Sequence, residues 1–181
     1  MRIVAGALKG KRFDPPRGFR GRPTTDFARE ALFNVLTNRM SFEGMSMCDL
    51  FAGSGAMGFE SFSRGASRVV AVESHGASAA SVKKYMTEFG MTHSVVHRAD
   101  VFEFLRKTTE RFALVIADPP FDMPHYEELV TAVMQHPTLL APDGIFVVEH
   151  GPDRHFDTWP GFDAERKYGH VHFSFFRPSQ A

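Results

Sequence analysis

The 181-residue chain predicts an α/β fold, a doubly wound and mostly parallel seven-stranded sheet that ends in an antiparallel hairpin and follows a basic N-terminal arm. Three observations carry that expectation. From Met45 onward, short apolar runs alternate with amphipathic stretches at helical spacing. The connections between them are a few residues long, so each crossover must lay a helix on a face of the sheet. Near the C-terminus, two strand-like runs are separated by little more than Gly169-His170, too short for a helical crossover. The chain divides accordingly into residues 1–40, a basic arm and one helix, and residues 41–181, the sheet domain.

In chain order, Pro23-Thr24-Thr25-Asp26 supplies candidate N-caps for a helix whose apolar positions Ala28, Ala31, Leu32, Val35 and Leu36 run to about Arg39. Strands follow at residues 45–51, 68–73, 94–97, 112–117 and 145–149. The helices between them fall at 56–64, 77–89, 101–107 and 126–135. Runs at 163–168 and 171–177 make the hairpin, with Val171, Phe173 and Phe175 alternating onto one covered face. The expected order of the parallel strands is 3-2-1-4-5.

The formal net charge is zero, which argues neither for nor against a nucleic-acid partner, but its distribution is uneven. Between Met1 and Arg22 there are seven basic residues, among them Arg17 and Arg20, and one acid, Asp14. A basic arm on an acidic body is a footprint suited to phosphates. It also suits a solvated N-terminus. No apolar run approaches the roughly 20 residues of a membrane span, and no secretory leader is visible, so a cytoplasmic protein without membrane contact is expected. The single cysteine, Cys48, lies in an apolar run and is assigned no redox role.

Gly53-Ser54-Gly55-Ala56-Met57-Gly58 follows the first strand and opens a helix, the pattern of a loop whose free amides meet an anionic group. Glu73 ends the next strand 20 residues after Gly53, where a carboxylate accepts from ribose hydroxyls. These features point to a nucleoside-containing cofactor without choosing between a nicotinamide dinucleotide and S-adenosylmethionine. Asp49, four residues before Gly53, favours the second, because a carboxylate there suits an ammonium and repels a phosphate. Asp100, after the third strand, can accept from an adenine amine and can equally cap the following helix.

Asp118-Pro119-Pro120-Phe121 follows the fourth strand and so faces the glycine loop across the switch point of the sheet. The two prolines remove backbone donors and hold the chain extended, leaving the Asp118 carboxylate and the Pro119 carbonyl as acceptors. Such acceptors suit an exocyclic amine, whose delocalised lone pair they would draw out toward a methyl donor. Phe121 offers a face on which an unstacked base can lie. His150, His155, His170 and His172 concentrate near the C-terminus, but no acidic or cysteine cluster at ligand spacing accompanies them, and no metal is expected.

These motifs resemble those of the bacterial 16S rRNA (guanine(966)-N2)-methyltransferases. The resemblance covers Arg2-Ile3-Val4-Ala5-Gly6, Lys9-Gly10-Lys11, Arg22-Pro23-Thr24-Thr25-Asp26, Arg29-Glu30-Ala31-Leu32-Phe33-Asn34, and Asp49 to Gly55. It continues through Ser63-Arg64-Gly65-Ala66, Glu73, Asp100 and Asp118 to Phe121. It implies a Rossmann-like, S-adenosylmethionine-dependent methyltransferase domain over residues 41–181. By it, Asp49, Gly53, Gly55, Glu73 and Asp100 hold the cofactor, and Asp118, Pro119 and Phe121 hold the guanine. Arg17, Arg20, Arg22, Thr24 and Arg29 then meet the RNA, as naked 16S rRNA or in the small-subunit particle, with the enzyme a monomer. One departure stands out: Val82-Lys83-Lys84-Tyr85 replaces an asparagine-leucine pair common in that family. The alternatives are a DNA adenine-amine methyltransferase, an NAD(P)-linked oxidoreductase and a catalytically silent RNA-binding module.

Overall fold

The computed structural model describes residues 1–16 and 24–178. Arg17, Arg20 and Arg22, expected to contact RNA, lie outside the described residues.

The elements are α1 (Asp26–Thr37), β1 (Ser46–Asp49), α2 (Ala56–Ser63), β2 (Arg68–Val72), α3 (Gly76–Glu88), β3 (Val95–His97), α4 (Val101–Lys107), β4 (Phe112–Ala117), α5 (Tyr126–Met134), β5 (Leu140–His150), β6 (Phe162–Tyr168) and β7 (Val171–Phe176). They form one seven-stranded sheet of order β3-β2-β1-β4-β5-β7-β6. The first five strands pair in parallel, and β7 pairs antiparallel with both β5 and β6. The expected sheet, with its strand order and terminal hairpin, is thus the observed one.

The period of two along the central strands explains the layering. Met47, Val69, Ala71, Leu114, Ile116 and Val147 enter one core with α1, α2 and α3, while Cys48, Val70, Val72, Val115, Phe146 and Val148 enter a second core with α4 and α5. Cys48 is fully buried, and burial pushes its thiol pKa well up, in keeping with a packing role. Among the described residues no helix is long and apolar enough to cross a membrane.

Three features differ most from those expected. Thr25 is the cap of α1: its hydroxyl accepts from the Ala28 amide at 3.1 Å, and the helix ends at Thr37. Strand β5 begins at Leu140, with its register to β4 shifting between Phe112 and Leu114, where sequence pattern showed only its apolar half. Strand β7 pairs on both edges, and residues on both of its faces are buried: His172 and Ser174 on one, Phe173 and Phe175 on the other.

The described part of the N-terminal segment is docked on the body. Arg2 bridges Arg12, Ile3 and Phe13 are buried in the first core, and the amides of Val4 and Ala5 donate to Glu60 at 2.9 and 3.1 Å. The hydrophobic core therefore runs across the expected boundary at residue 40. Tyr85, part of the departure noted above, serves this docking: its hydroxyl accepts from the Asp14 amide at 3.0 Å, and its ring stands edge-on to Phe13 and Phe59.

Candidate active site at the carboxyl edge of the sheet

All five parallel strands deliver a carboxylate to the same edge of the sheet. Asp49 ends β1, Glu73 follows β2, Asp100 lies three residues after β3, Asp118 follows β4 and Glu149 stands near the end of β5. This is the edge at which ligands bind in open α/β sheets, and β1 and β4, neighbours in the sheet, flank its switch point.

The glycine loop is shaped by backbone that only glycine adopts cheaply: φ is +53° at Gly53 and +84° at Gly55, the residue that caps α2. At Gly58 a side chain would strike Val69 at 2.8 Å and stand 4.0 Å from Asp49 Oδ2, so its absence lets α2 sit close over β1 and β2. Glu73 is oriented by two amides, accepting from Gly53 at 2.8 Å and from His75 at 2.7 Å. Those bonds leave carboxylate lone pairs for a ribose. Asp100 caps α4, with Oδ1 accepting from the Glu103 amide at 3.1 Å, and its exposure leaves Oδ2 accessible, so capping and adenine contact are compatible.

Asp49 is 1% exposed, and neither of its oxygens has a well-formed hydrogen bond. Burial, then the Asp118 and Glu73 charges, raise its pKa to about 7; the nearby Phe51 and Gly58 amides oppose this weakly. A buried carboxylate without partners is the observation that tests the cofactor. It fits the ammonium of an S-adenosylmethionine, and it would repel the pyrophosphate of a dinucleotide.

Across the switch point, Asp118 is partly buried and Pro119 fully so, while Phe121 is 44% exposed. Thr24 joins this site from the start of α1. Its hydroxyl lies 2.6 Å from Glu149 Oε2, to which it donates, and 3.3 Å from Asp118 Oδ2. Burial raises the pKa of both carboxylates, and each opposes ionisation of the other. Behind them the buried Tyr126 hydroxyl donates to the Glu149 carbonyl. Arg154 fixes the Phe121 loop, donating to the Phe121 and Met123 carbonyls at 3.5 and 3.3 Å while lying 3.9 Å over the Tyr126 ring.

Two expectations need correction. Thr24 was expected on the RNA-facing surface, but it is 7% exposed and faces the carboxylates, because the turn into α1 folds over β4 and β5. Arg29 was expected there too, but it is fully buried, donating to the Arg2 carbonyl at 2.6 Å and to Asp26 at 2.9 Å, with Glu60 3.9 Å away. It anchors α1 from beneath and presents nothing to a ligand. Sequence reasoning missed Glu149, Arg154 and Glu60. A carboxylate closing the apolar run of β5 was a usable signal for Glu149; nothing local marks the other two.

The histidines regroup as well. His150 and His172 face each other across β5 and β7, and with Glu165 on β6 they place three ligand-type atoms within 4.8 Å of one another. Ser174 Oγ lies 2.8 Å from His150 Nε2, and Lys167 Nζ lies 3.1 Å from Glu165. His170 stays exposed at the hairpin turn.

Comparison with known proteins places this geometry. A family model described as conserved hypothetical protein 95 matches residues 1–177. The ribosomal RNA small subunit methyltransferase D of Haemophilus influenzae is 31% identical over 160 residues, 85% of this chain and 80% of that protein. The structure of a hypothetical protein from Thermus thermophilus superposes with a TM-score of 0.84 at 27% identity, covering 98% of this chain and 99% of the other. The 16S rRNA N2 G1207 methyltransferase of Thermus thermophilus, solved with AdoMet and guanosine, shares the fold: TM-score 0.73 and 24% identity over 89% of this chain and 45% of that one. The chain belongs to the conserved hypothetical protein 95 family, together with the bacterial ribosomal RNA small subunit methyltransferases D.

Proposed function

We propose that the protein transfers a methyl group from S-adenosylmethionine to the exocyclic N2 amine of a guanine in 16S rRNA, acting as a cytoplasmic monomer. The observation that carries this reading is the pairing, across one switch point, of the partnerless buried Asp49 with the Asp118-Pro119-Pro120-Phe121 acceptor loop. Asp49 would take the cofactor ammonium, Glu73 the ribose, and Asp100 the adenine amine, with Gly53 and Gly55 leaving room for close backbone approach. S-adenosylmethionine supplies an electrophilic methyl group on a sulfonium.

The chain's own residues do the rest. The exposed Phe121 ring receives the unstacked base. Asp118 and the Pro119 carbonyl accept the two amine hydrogens, which localises the nitrogen lone pair. Positive charge moves onto that nitrogen as the methyl arrives, so a fixed carboxylate stabilises the transition state more than the ground state. Asp118 Oδ2, its pKa raised by burial, is suited to take the proton released from nitrogen near neutral pH. The Thr24 hydroxyl links that oxygen to Glu149, a second acceptor. Arg17, Arg20 and Arg22 belong to the stretch of chain just before Thr24, so the phosphate contacts are assigned to them and the RNA-facing role to this part of residues 1–40.

Mass mapping of 16S rRNA from a strain lacking the gene tests the substrate. The target guanine is expected to lose its methyl group there and regain it on complementation; an unchanged guanine methylation pattern would exclude this substrate.

A further inference from the structure

We propose that Phe27 and Tyr168 form a second base-binding subsite, a stacking platform for the nucleotide next to the target guanine. This rests on the RNA reading above and extends it from one base to two.

Among the described residues two large hydrophobic side chains are exposed, Phe27 at 71% and Phe121 at 44%. A scattered exposed phenylalanine is ordinary. These two are not scattered. Each stands three residues along the chain from one end of the same hydrogen bond, Thr24 to Asp118. Three residues of chain reach at most about 10 Å, so the backbone of each lies within that distance of its end of the bond.

The Phe27 ring is held in place. Tyr168, at the end of β6, meets it edge-on, with ring centroids 6.1 Å apart and an interplanar angle of 85°, and Tyr168 is backed in turn by the buried Phe173 at 6.0 Å. A perpendicular contact of this kind, with the residue 71% exposed, leaves at least one flat face of Phe27 to solvent. Its helix is pinned from below by the fully buried Arg29. A rigid exposed aromatic face is what a base stacks on, and such stacking tolerates any base. Charge matches the occupant: Arg166, exposed and two residues before Tyr168 on β6, shares its face of the strand and puts a cationic side chain beside the platform. The hairpin formed by β6 and β7, which supplies none of the carboxylates of the candidate site, thereby acquires a role in holding RNA.

A double-mutant cycle between enzyme and RNA tests this. Wild type and Phe27→Ala are assayed for methyl transfer to a small-subunit rRNA fragment, intact or with an abasic nucleotide on either side of the target guanine. Phe27→Ala is expected to raise KM for intact RNA about 5- to 100-fold, the range for losing one stacked base, with kcat and S-adenosylmethionine affinity little changed. Phe27→Trp should restore KM. One abasic position should penalise wild type by a similar factor and Phe27→Ala hardly at all. Equal abasic penalties in both enzymes, an unchanged KM, or a loss seen on particles but absent on naked RNA would overturn the platform while leaving the methyltransferase intact. Absence of transfer by wild type both to the fragment and to small-subunit particles would instead remove the reading on which the platform rests.

Discussion

Helix α2 borders two buried groups of charges that are built in opposite ways. On one side, Glu60 accepts from the Val4 and Ala5 amides and from Arg64 and lies beside Arg29, so its negative charge is met by two guanidinium groups and two amides. On the other, Asp49, Asp118 and Glu149 gather carboxylates with one hydroxyl, Thr24, and no cation among the described residues. The first group balances its charge within the protein, although Arg29 Nε and Nη1 and Arg64 Nη2 lack hydrogen-bond partners among the described residues, and it joins the N-terminal segment, α1 and α2. The second is complete only with a cationic guest. Pairing thus separates structural from functional charge here, where burial alone does not.

Removing a member of each group breaks the comparison most directly. Glu60→Ala removes the acceptor of the Val4 and Ala5 amides and of Arg64 and, among the described residues, leaves the fully buried Arg29 paired with Asp26 alone, and should cost about 3–5 kcal/mol of stability, read by denaturant unfolding. Asp118→Ala should lower turnover by about 10² to 10³, the range for one preorganised electrostatic group, while leaving cofactor affinity nearly intact and stability undiminished. Asp118→Asn should lose less, because it keeps an acceptor. If the two variants exchanged phenotypes, the division into structural and functional charge would be wrong.

Acidity sharpens the contrast. A carboxylate whose folded pKa lies above its unfolded value binds more protons in the folded state across the interval between them, so stability falls as pH rises through that interval. For Asp49 the interval runs from an unfolded value of about 4 to a folded value of about 7. The cofactor-free protein should therefore lose stability on the order of 4 kcal/mol from this group as pH rises across it, with Asp118 and Glu149 acting in the same direction. Thermal unfolding followed from acid to neutral pH measures this; a rise in Tm over the same range contradicts it.

Smaller effects belong to the rim. Glu73→Ala should weaken S-adenosylmethionine binding by about 1.5–3 kcal/mol, the range for hydrogen bonds to a charged acceptor, and calorimetry would detect it. Arg22→Ala should weaken RNA binding without changing cofactor affinity and reduce the salt dependence of RNA affinity by about one ion.

What could be read in the sequence follows the range of the interactions involved. Strand and helix order came from periodicity, which is local, and the carboxylates at strand ends came with it, since the topology places every strand end on one edge. Asp49, Glu73, Asp100 and Asp118 stand where that reasoning put them. Thr24 and Arg29 do not, because their surroundings depend on partners far along the chain: Thr24 meets residues 94 and 125 positions away. An arginine in a basic stretch looks solvent-facing until Glu60 and the Arg2 carbonyl are brought beneath it. Glu149 lay between these cases, visible as a strand end but lacking a motif to mark it.

The account turns on a pocket of unpaired carboxylates made for a cationic cofactor, and calorimetry of the purified protein with S-adenosylmethionine and with NADH, repeated across pH, tests it most directly. S-adenosylmethionine should bind and NADH should not, with S-adenosylmethionine affinity falling by up to about tenfold per pH unit below about 7 as Asp49 takes up its proton. Tight NADH binding with no response to S-adenosylmethionine would contradict the account.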